Sequence, residues 1–180
     1  VEESEDALAM LCAELAALRH EKAAEFADLV EAQLRDLALE RAVFEVNFRV
    51  KPPDATGAEI VEFFFSANAG EPARPLSKIA SGGEISRMML AVKTALAGKA
   101  GVPTLIFDEV DTGLGGRAAA VVSRKLAELA EHYQVVVISH LPQIAAAAAS
   151  HFRIEKGEVD GRVVTQVVGL DRDQRISEIA

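Results

Sequence analysis

The chain predicts an α/β fold, a mostly parallel sheet flanked by helices, preceded by a long helix of coiled-coil character. Three observations carry this prediction. Residues 1–41 contain neither Gly nor Pro and space their leucines like a coiled-coil seam. Two short apolar runs, Thr104–Phe107 and Val135–Ser139, flank an amphipathic pattern over 117–132, which reads as strand, helix, strand with a right-handed crossover. Half of the 180 residues are hydrophobic and 26% are charged, so the chain can bury a core.

In the first element Leu8, Leu11, Leu15 and Leu18 follow a 3-4-3 step. The seam continues through Lys22 to Phe26 and Leu29 by a 4-4-3 step, an interruption that locally unwinds a left-handed supercoil. Such a helix is long for a globular domain, so 1–41 reads as the end of an antiparallel arm entering a globular lobe of residues 42–180. The plainer reading is an amphipathic helix lying on that lobe. Cys12, the single cysteine, cannot staple the fold, fits a reducing compartment and is expected to be a semi-buried small hydrophobe.

Phe44, Val46, Phe48 and Val50 alternate with polar residues, as in a half-buried strand. Pro52-Pro53-Asp54 and Gly57 predict a turn, and residues 59–66 the second strand of a hairpin. Residues 69–78, with Gly70, Pro72 and Pro75, read as a loop. Ile85, Met88, Met89, Val92 and Leu96 repeat at helical spacing and end near Gly98. The run at Thr104–Phe107 is continuous, as in strands covered on both faces. Residues 143–149 predict a short helix. Ile154 and Val163–Val168 predict a closing hairpin around Lys156-Gly157 and Asp160-Gly161.

The net charge is −9, which argues against a broad electrostatic footprint for nucleic acid on this segment. No run of 18 apolar residues occurs, so no membrane span is expected. The acidic start lacks a signal-peptide pattern, and the chain is expected to be cytoplasmic. A first residue of Val points to an excised or processed segment.

Ligands of open parallel sheets bind outside the carboxyl ends of the strands. Asp108 and Glu109 leave one such end and His140 the next, so all three fall on one edge. One carboxylate there can serve Mg²⁺. The other can orient or deprotonate a water for in-line attack on a γ-phosphate, and the histidine can donate a hydrogen bond to the phosphoryl group. Ser81-Gly82-Gly83 opens a helix and leaves backbone N–H groups for a phosphate, with Glu84 suited to the helix dipole. Each element also has a plain reading: a solvated turn, a cap, an ordinary Ser N-cap. Asp111-Thr112-Gly113 is either a turn with Asp as N-cap or a loop that couples two sites across a dimer. Arg87 reads as a solvated or core-flanking residue. No Gly-x-x-x-x-Gly-Lys-Ser/Thr phosphate loop is present. The four histidines and the cysteine show no metal-ligand spacing. No Gly-x-Ser-x-Gly elbow occurs, and Phe63–Phe65 lack the interleaved basic residues of a base-stacking platform.

Ala80-Ser81-Gly82-Gly83-Glu84 resembles the ABC signature motif. Thr104–Glu109 resembles a Walker B strand with its glutamate, Asp111-Thr112-Gly113 a D-loop, and His140 the switch histidine. The arm favours the SMC-like branch of the ABC ATPases over transporters. Residues 63–72, 79–87, 107–116 and 138–145 closely resemble the RecN family of bacterial DNA-repair proteins. This resemblance implies the C-terminal half of a P-loop ATPase head, with ATP and Mg²⁺ as cofactors. It implies Asp108 for Mg²⁺, Glu109 as catalytic base, and His140 on the γ-phosphate. Ser81, Gly82 and Gly83 would meet ATP on an opposing head. The implied partners are the Walker A-containing half, a second head in a homodimer, and DNA through the complete protein. The implied role is double-strand-break repair. A transporter-like half and a non-catalytic structural module are the other readings. Without the phosphate-loop half, the sheet is expected to expose an apolar face.

Overall fold

A computed structural model describes residues 2–99, 101–159 and 162–180. The chain divides into two compact units, Val1–Gly101 and Val102–Ala180. No helix among the described residues is long and apolar enough to cross a membrane.

The first unit opens with α1, Glu2–Asp36, about 52 Å long at 1.5 Å per residue. It ends without Gly or Pro. Ala38 takes a left-handed conformation, φ 61°, and the Leu39 N–H donates back to the Leu34 carbonyl at 3.0 Å, which is a Schellman closure with Ala where Gly usually stands. The inward face carries Cys12, Val30 and Leu34, all buried, as expected for Cys12. The predicted seam residues Leu8, Leu11, Leu18 and Leu29 are instead exposed. The helix packs through Cys12, Leu15, Phe26, Val30 and Leu34, so Leu15 and Phe26 of the predicted seam face inward and those four leucines lie on its open side.

β1 (Val43–Asp54) and β2 (Gly57–Ser66) form the expected antiparallel hairpin, with Phe44 opposite Phe65 and Val46 opposite Phe63. Phe26 of α1 meets Phe44 edge-on at 5.8 Å, and Phe44 lies 5.3 Å from Phe63. The Phe44 N–H donates to Glu31 Oε1 at 3.1 Å, tying helix to sheet. Val50, expected inward, is exposed. The register shifts between Val50 and Asp54, where Pro52 and Pro53 cannot both serve the ladder. At the turn, Asp54 Oδ1 accepts from the Thr56 N–H at 2.7 Å and Lys51 Nζ donates to Asp54 Oδ2 at 2.5 Å. These partners hold the Asp54 carboxyl well below its ordinary value.

Gly57 has φ +94°, and a Cβ there would stand 2.9 Å from Leu15 Cδ2 of α1. The leucine tip can move, so the backbone angle dominates. Gly57→Ala is expected to destabilise the protein by about 1–3 kcal/mol, read as a lowered urea midpoint. An unchanged midpoint would show that the turn relaxes freely.

The loop expected over 69–78 contains a short strand β3, Arg74–Pro75, paired with β2, and a 3₁₀ turn, Leu76–Lys78. α2 runs from Gly82 to Ala95 and buries Met88, Leu90, Ala91 and Val92.

In the second unit β4 (Thr104–Asp108) and β5 (Gln134–Ile138) pair in parallel, joined through α3, Gly116–Ala130, as a parallel pair requires. The β1–β2–β3 sheet is antiparallel. Leu105 and Phe107 are buried against the covered face. Ile106, Val136 and Ile138 are exposed, with Ile106 at 69%. The apolar runs of β4 and β5 are therefore covered on one face only, which is the exposed apolar face expected of this segment.

α4 (Pro142–Ala147) follows β5, and β6 (Phe152–Val159) pairs with β7 (Arg162–Gly169). The predicted turn residues Asp160 and Gly161 lie outside the described residues. A last helix, α5 (Arg172–Ile179), was not expected. Asp171 and Gln174 close a reciprocal capping box at its start. Arg175 donates to the carbonyls of Ala148 and Ala149.

Candidate nucleotide site

Each candidate residue sits where an element ends. Ser81 is the N-cap of α2, and its Oγ accepts from the Glu84 N–H at 3.4 Å. Ser81 and Gly82 are exposed, while Gly83 is buried at the first turn. This is the ordinary Ser N-cap, and it still presents the N–H groups of a first turn that an anion favours. Arg87, one turn further, is only 8% exposed, so it does not lie on a solvated face. Burial pushes its guanidinium down from the ordinary value, opposed by the nearby Glu84 carboxylate.

The remaining candidates belong to the second unit and come together there. Asp108 stands opposite Ile138 in the parallel register, so the exits of β4 and β5 share one edge. Asp108 and Glu109 are exposed. Glu109 holds φ 57°, a left-handed conformation costly for a residue with a Cβ. The Thr112 N–H donates to the Glu109 carbonyl at 3.1 Å, and the Leu114 N–H to the Asp111 carbonyl at 3.1 Å. These bonds fold residues 109–114 into consecutive turns with Gly113 at φ +76°.

Asp111 is not the N-cap of α3, a position held by Gly115. It turns inward and is 3% exposed. Its Oδ2 accepts from Ser139 Oγ at 2.6 Å and from the His140 N–H at 3.2 Å. The His140 ring Nδ1 lies 3.4 Å from the same oxygen, and the ring itself is 77% exposed. Ser139 Oγ in turn accepts from the Leu141 N–H at 3.0 Å. Ser139 was not singled out from sequence. Its only signal was a hydroxyl one residue before His140 at a strand exit.

Among the described residues no cluster of three His, Cys, Asp or Glu could hold a metal unaided. The edge fits Mg²⁺ in the form that ion takes with a nucleotide: one or two carboxylates, with phosphate oxygens and waters completing the shell. Asp108 and Glu109 are the exposed carboxylates at that edge. The chemistry available is thus an exposed carboxylate pair, an exposed imidazole with Nδ1 near a buried carboxylate, and a separate helix start suited to an anion.

No family model matches the chain. It is 46% identical over 173 residues to the DNA repair protein RecN of Halalkalibacterium halodurans, covering 93% of this chain and 31% of that protein. It is 46% identical over 167 residues to RecN of Deinococcus radiodurans (92% and 29%), and 37% identical over 188 residues to RecN of Bacillus subtilis (96% and 33%). The chain therefore spans a third or less of the length of these relatives. Among solved structures it is similar to the Smc head domain with coiled coil and joint from Pyrococcus yayanosii, with TM-score 0.60 and 22% identity over 90% of this chain and 29% of that one. The Smc head of Pyrococcus furiosus bound to a ScpA domain gives TM-score 0.57 and 21% identity, covering 89% of this chain and 37% of that one. An SMC ATPase chain matched over 91% of this chain and 93% of its own gives TM-score 0.51 at 20% identity. In sequence the chain matches the C-terminal portion of the RecN proteins, and in fold it is that of the SMC ATPase head.

Proposed function

We propose that residues 42–180 are the C-terminal lobe of an SMC-type ATPase head and that residues 1–41 are the end of its coiled-coil arm. The completed head binds and hydrolyses ATP between two heads, in cytoplasmic, nucleoid-associated repair of DNA double-strand breaks and recombination. The observation that carries this reading is one shared edge of two parallel strands, which Asp108 and Glu109 leave on one side and His140, in contact with Asp111, on the other, in a chain 46% identical to a RecN protein.

Magnesium-bound ATP supplies the electrophilic phosphorus and a cation that offsets charge on the phosphates. Asp108 would hold that cation. Glu109, exposed and displaced from the strand by its left-handed turn, orients a water and takes its proton. His140 hydrogen-bonds the γ-phosphate through its outward Nε2. The N–H groups at the start of α2, with Ser81 Oγ, contact ATP held by an opposing head, and Gly82 and Gly83 let it approach. Glu84 caps the dipole of α2 from its first turn. The loop Asp111-Thr112-Gly113 lies at the head–head interface. The phosphate loop belongs to a partner half that supplies most contacts to the β- and γ-phosphates.

The test is turnover of this chain with and without a Walker A-containing half. The chain alone is expected to hydrolyse ATP poorly, and addition of that half, with DNA, to restore turnover. Robust hydrolysis by the chain alone, or none in any combination, would sink the proposal.

A further inference from the structure

Among the described residues only Arg87 and Asp111 are both charged and buried. A buried carboxylate is costly unless it is well partnered. The partners of Asp111 are specific: Ser139 Oγ at 2.6 Å, the His140 N–H at 3.2 Å and the His140 ring Nδ1 at 3.4 Å all converge on Oδ2. They belong to two consecutive residues leaving β5, whereas Asp111 leaves β4. One oxygen thus ties together the two strand exits. Ser139 extends the tie by accepting from the Leu141 N–H. The imidazole faces this oxygen on one side only, and the ring remains 77% exposed.

We propose that Asp111 is the positioning residue of His140, holding its ring with Nδ1 inward and Nε2 outward and joining the loop after β4 to the loop after β5. This assigns an intrachain role to a residue whose motif otherwise points to the head–head interface. Its catalytic consequence rests on the ATPase reading given above. A carboxylate accepts only, so a ring nitrogen that hydrogen-bonds to it must carry hydrogen. A neutral ring held this way keeps a lone pair on Nε2. To donate to a phosphate from Nε2 the ring must carry both protons. Asp111 then lies opposite the phosphate and balances that charge, as partners behind functional histidines generally do.

The test is ¹⁵N NMR of the histidine side chains in this chain, at a pH where the rings are neutral, with His140 assigned from a His140→Gln spectrum. Wild-type His140 is expected in the Nδ1–H tautomer. Asp111→Asn keeps the shape but offers an amide that can donate to the ring, and is expected to shift His140 toward Nε2–H. Ser139→Ala leaves the carboxylate–ring contact and is expected to keep the Nδ1–H form. An Nε2–H tautomer in wild type overturns the proposal, even if Asp111→Asn fails to fold. A tautomer unchanged by Asp111→Asn overturns it too. In the reconstituted ATPase, Asp111→Asn is expected to lower kcat on the order of 10-fold with KM for ATP little changed, and unchanged kcat counts against the role. A tautomer shift seen where no form hydrolyses ATP would sink the ATPase reading and leave the positioning role standing.

Discussion

Glu109→Gln is expected to lower ATP turnover of the chain joined to a phosphate-loop half by roughly 100-fold or more, the scale for loss of a general base, while ATP binding is retained. The side-chain shape is unchanged by this substitution, and so is the backbone demand. Glu109 sits at φ 57°, where a residue with a Cβ pays roughly 1–3 kcal/mol of strain. Gln carries the same strain, so the melting temperature of the variant should match wild type. Glu109→Gly makes the complementary test. It relieves the strained angle and is expected to raise stability by about 1 kcal/mol, yet it removes the carboxylate and should lose turnover equally. Gain of stability with loss of activity is the pattern of a residue kept for chemistry at a cost to folding. Turnover unchanged in Glu109→Gln would make the Asp108–Glu109 pair structural and the proposed mechanism wrong.

Periodicity revealed most of the elements but not their surroundings. The alternation at Phe44, Val46 and Phe48 and the apolar runs of β4 and β5 appear as strands, because side-chain period is a local property. Which face is covered is not local. Ile106 and Val136 carry the composition of a doubly covered strand and are exposed. The end of α1 had no conventional stop signal, since Ala38 occupies the left-handed position that Gly normally marks. The Asp171–Gln174 box of α5 was readable in principle, but a helix with so few apolar residues gives little periodic signal.

At the site, the strand-exit rule puts Asp108, Glu109 and His140 on one edge from sequence alone. The orientation of Asp111 was not readable. An Asp followed by Thr-Gly at a strand exit suits a solvent-facing turn, and only the parallel register, Asp108 against Ile138, brings Ser139 within its reach. Arg87 shows the same limit, since a charged residue on a helix reads as either solvated or core-flanking until its neighbours are known. What sequence conveys poorly here is contact between residues about 28 positions apart, as for Asp111 and Ser139.

Phe44→Ala is expected to cost about 3–5 kcal/mol, the range for removing a buried aromatic ring, against a total stability of about 5–15 kcal/mol for an ordinary domain. Phe44 is 2% exposed. Its ring meets Phe26 of α1 at 5.8 Å and Phe63 of β2 at 5.3 Å, so truncation opens a cavity walled by three elements. The walls cannot easily collapse, because the Phe44 N–H is bonded to Glu31 Oε1 and the strand is held in register with β2. Urea unfolding followed by circular dichroism would read the change as a lower midpoint with an unchanged slope. Leu11→Ala is the control on the same helix. Leu11 is 63% exposed, and its truncation should change stability by no more than about 0.5 kcal/mol. A large loss at Leu11 would mean that the open side of α1 is covered in solution, by a second copy or by another helix. A small loss at Phe44 would mean that α1 does not depend on the hairpin for its place, and that the aromatic cluster is not what fixes the end of α1.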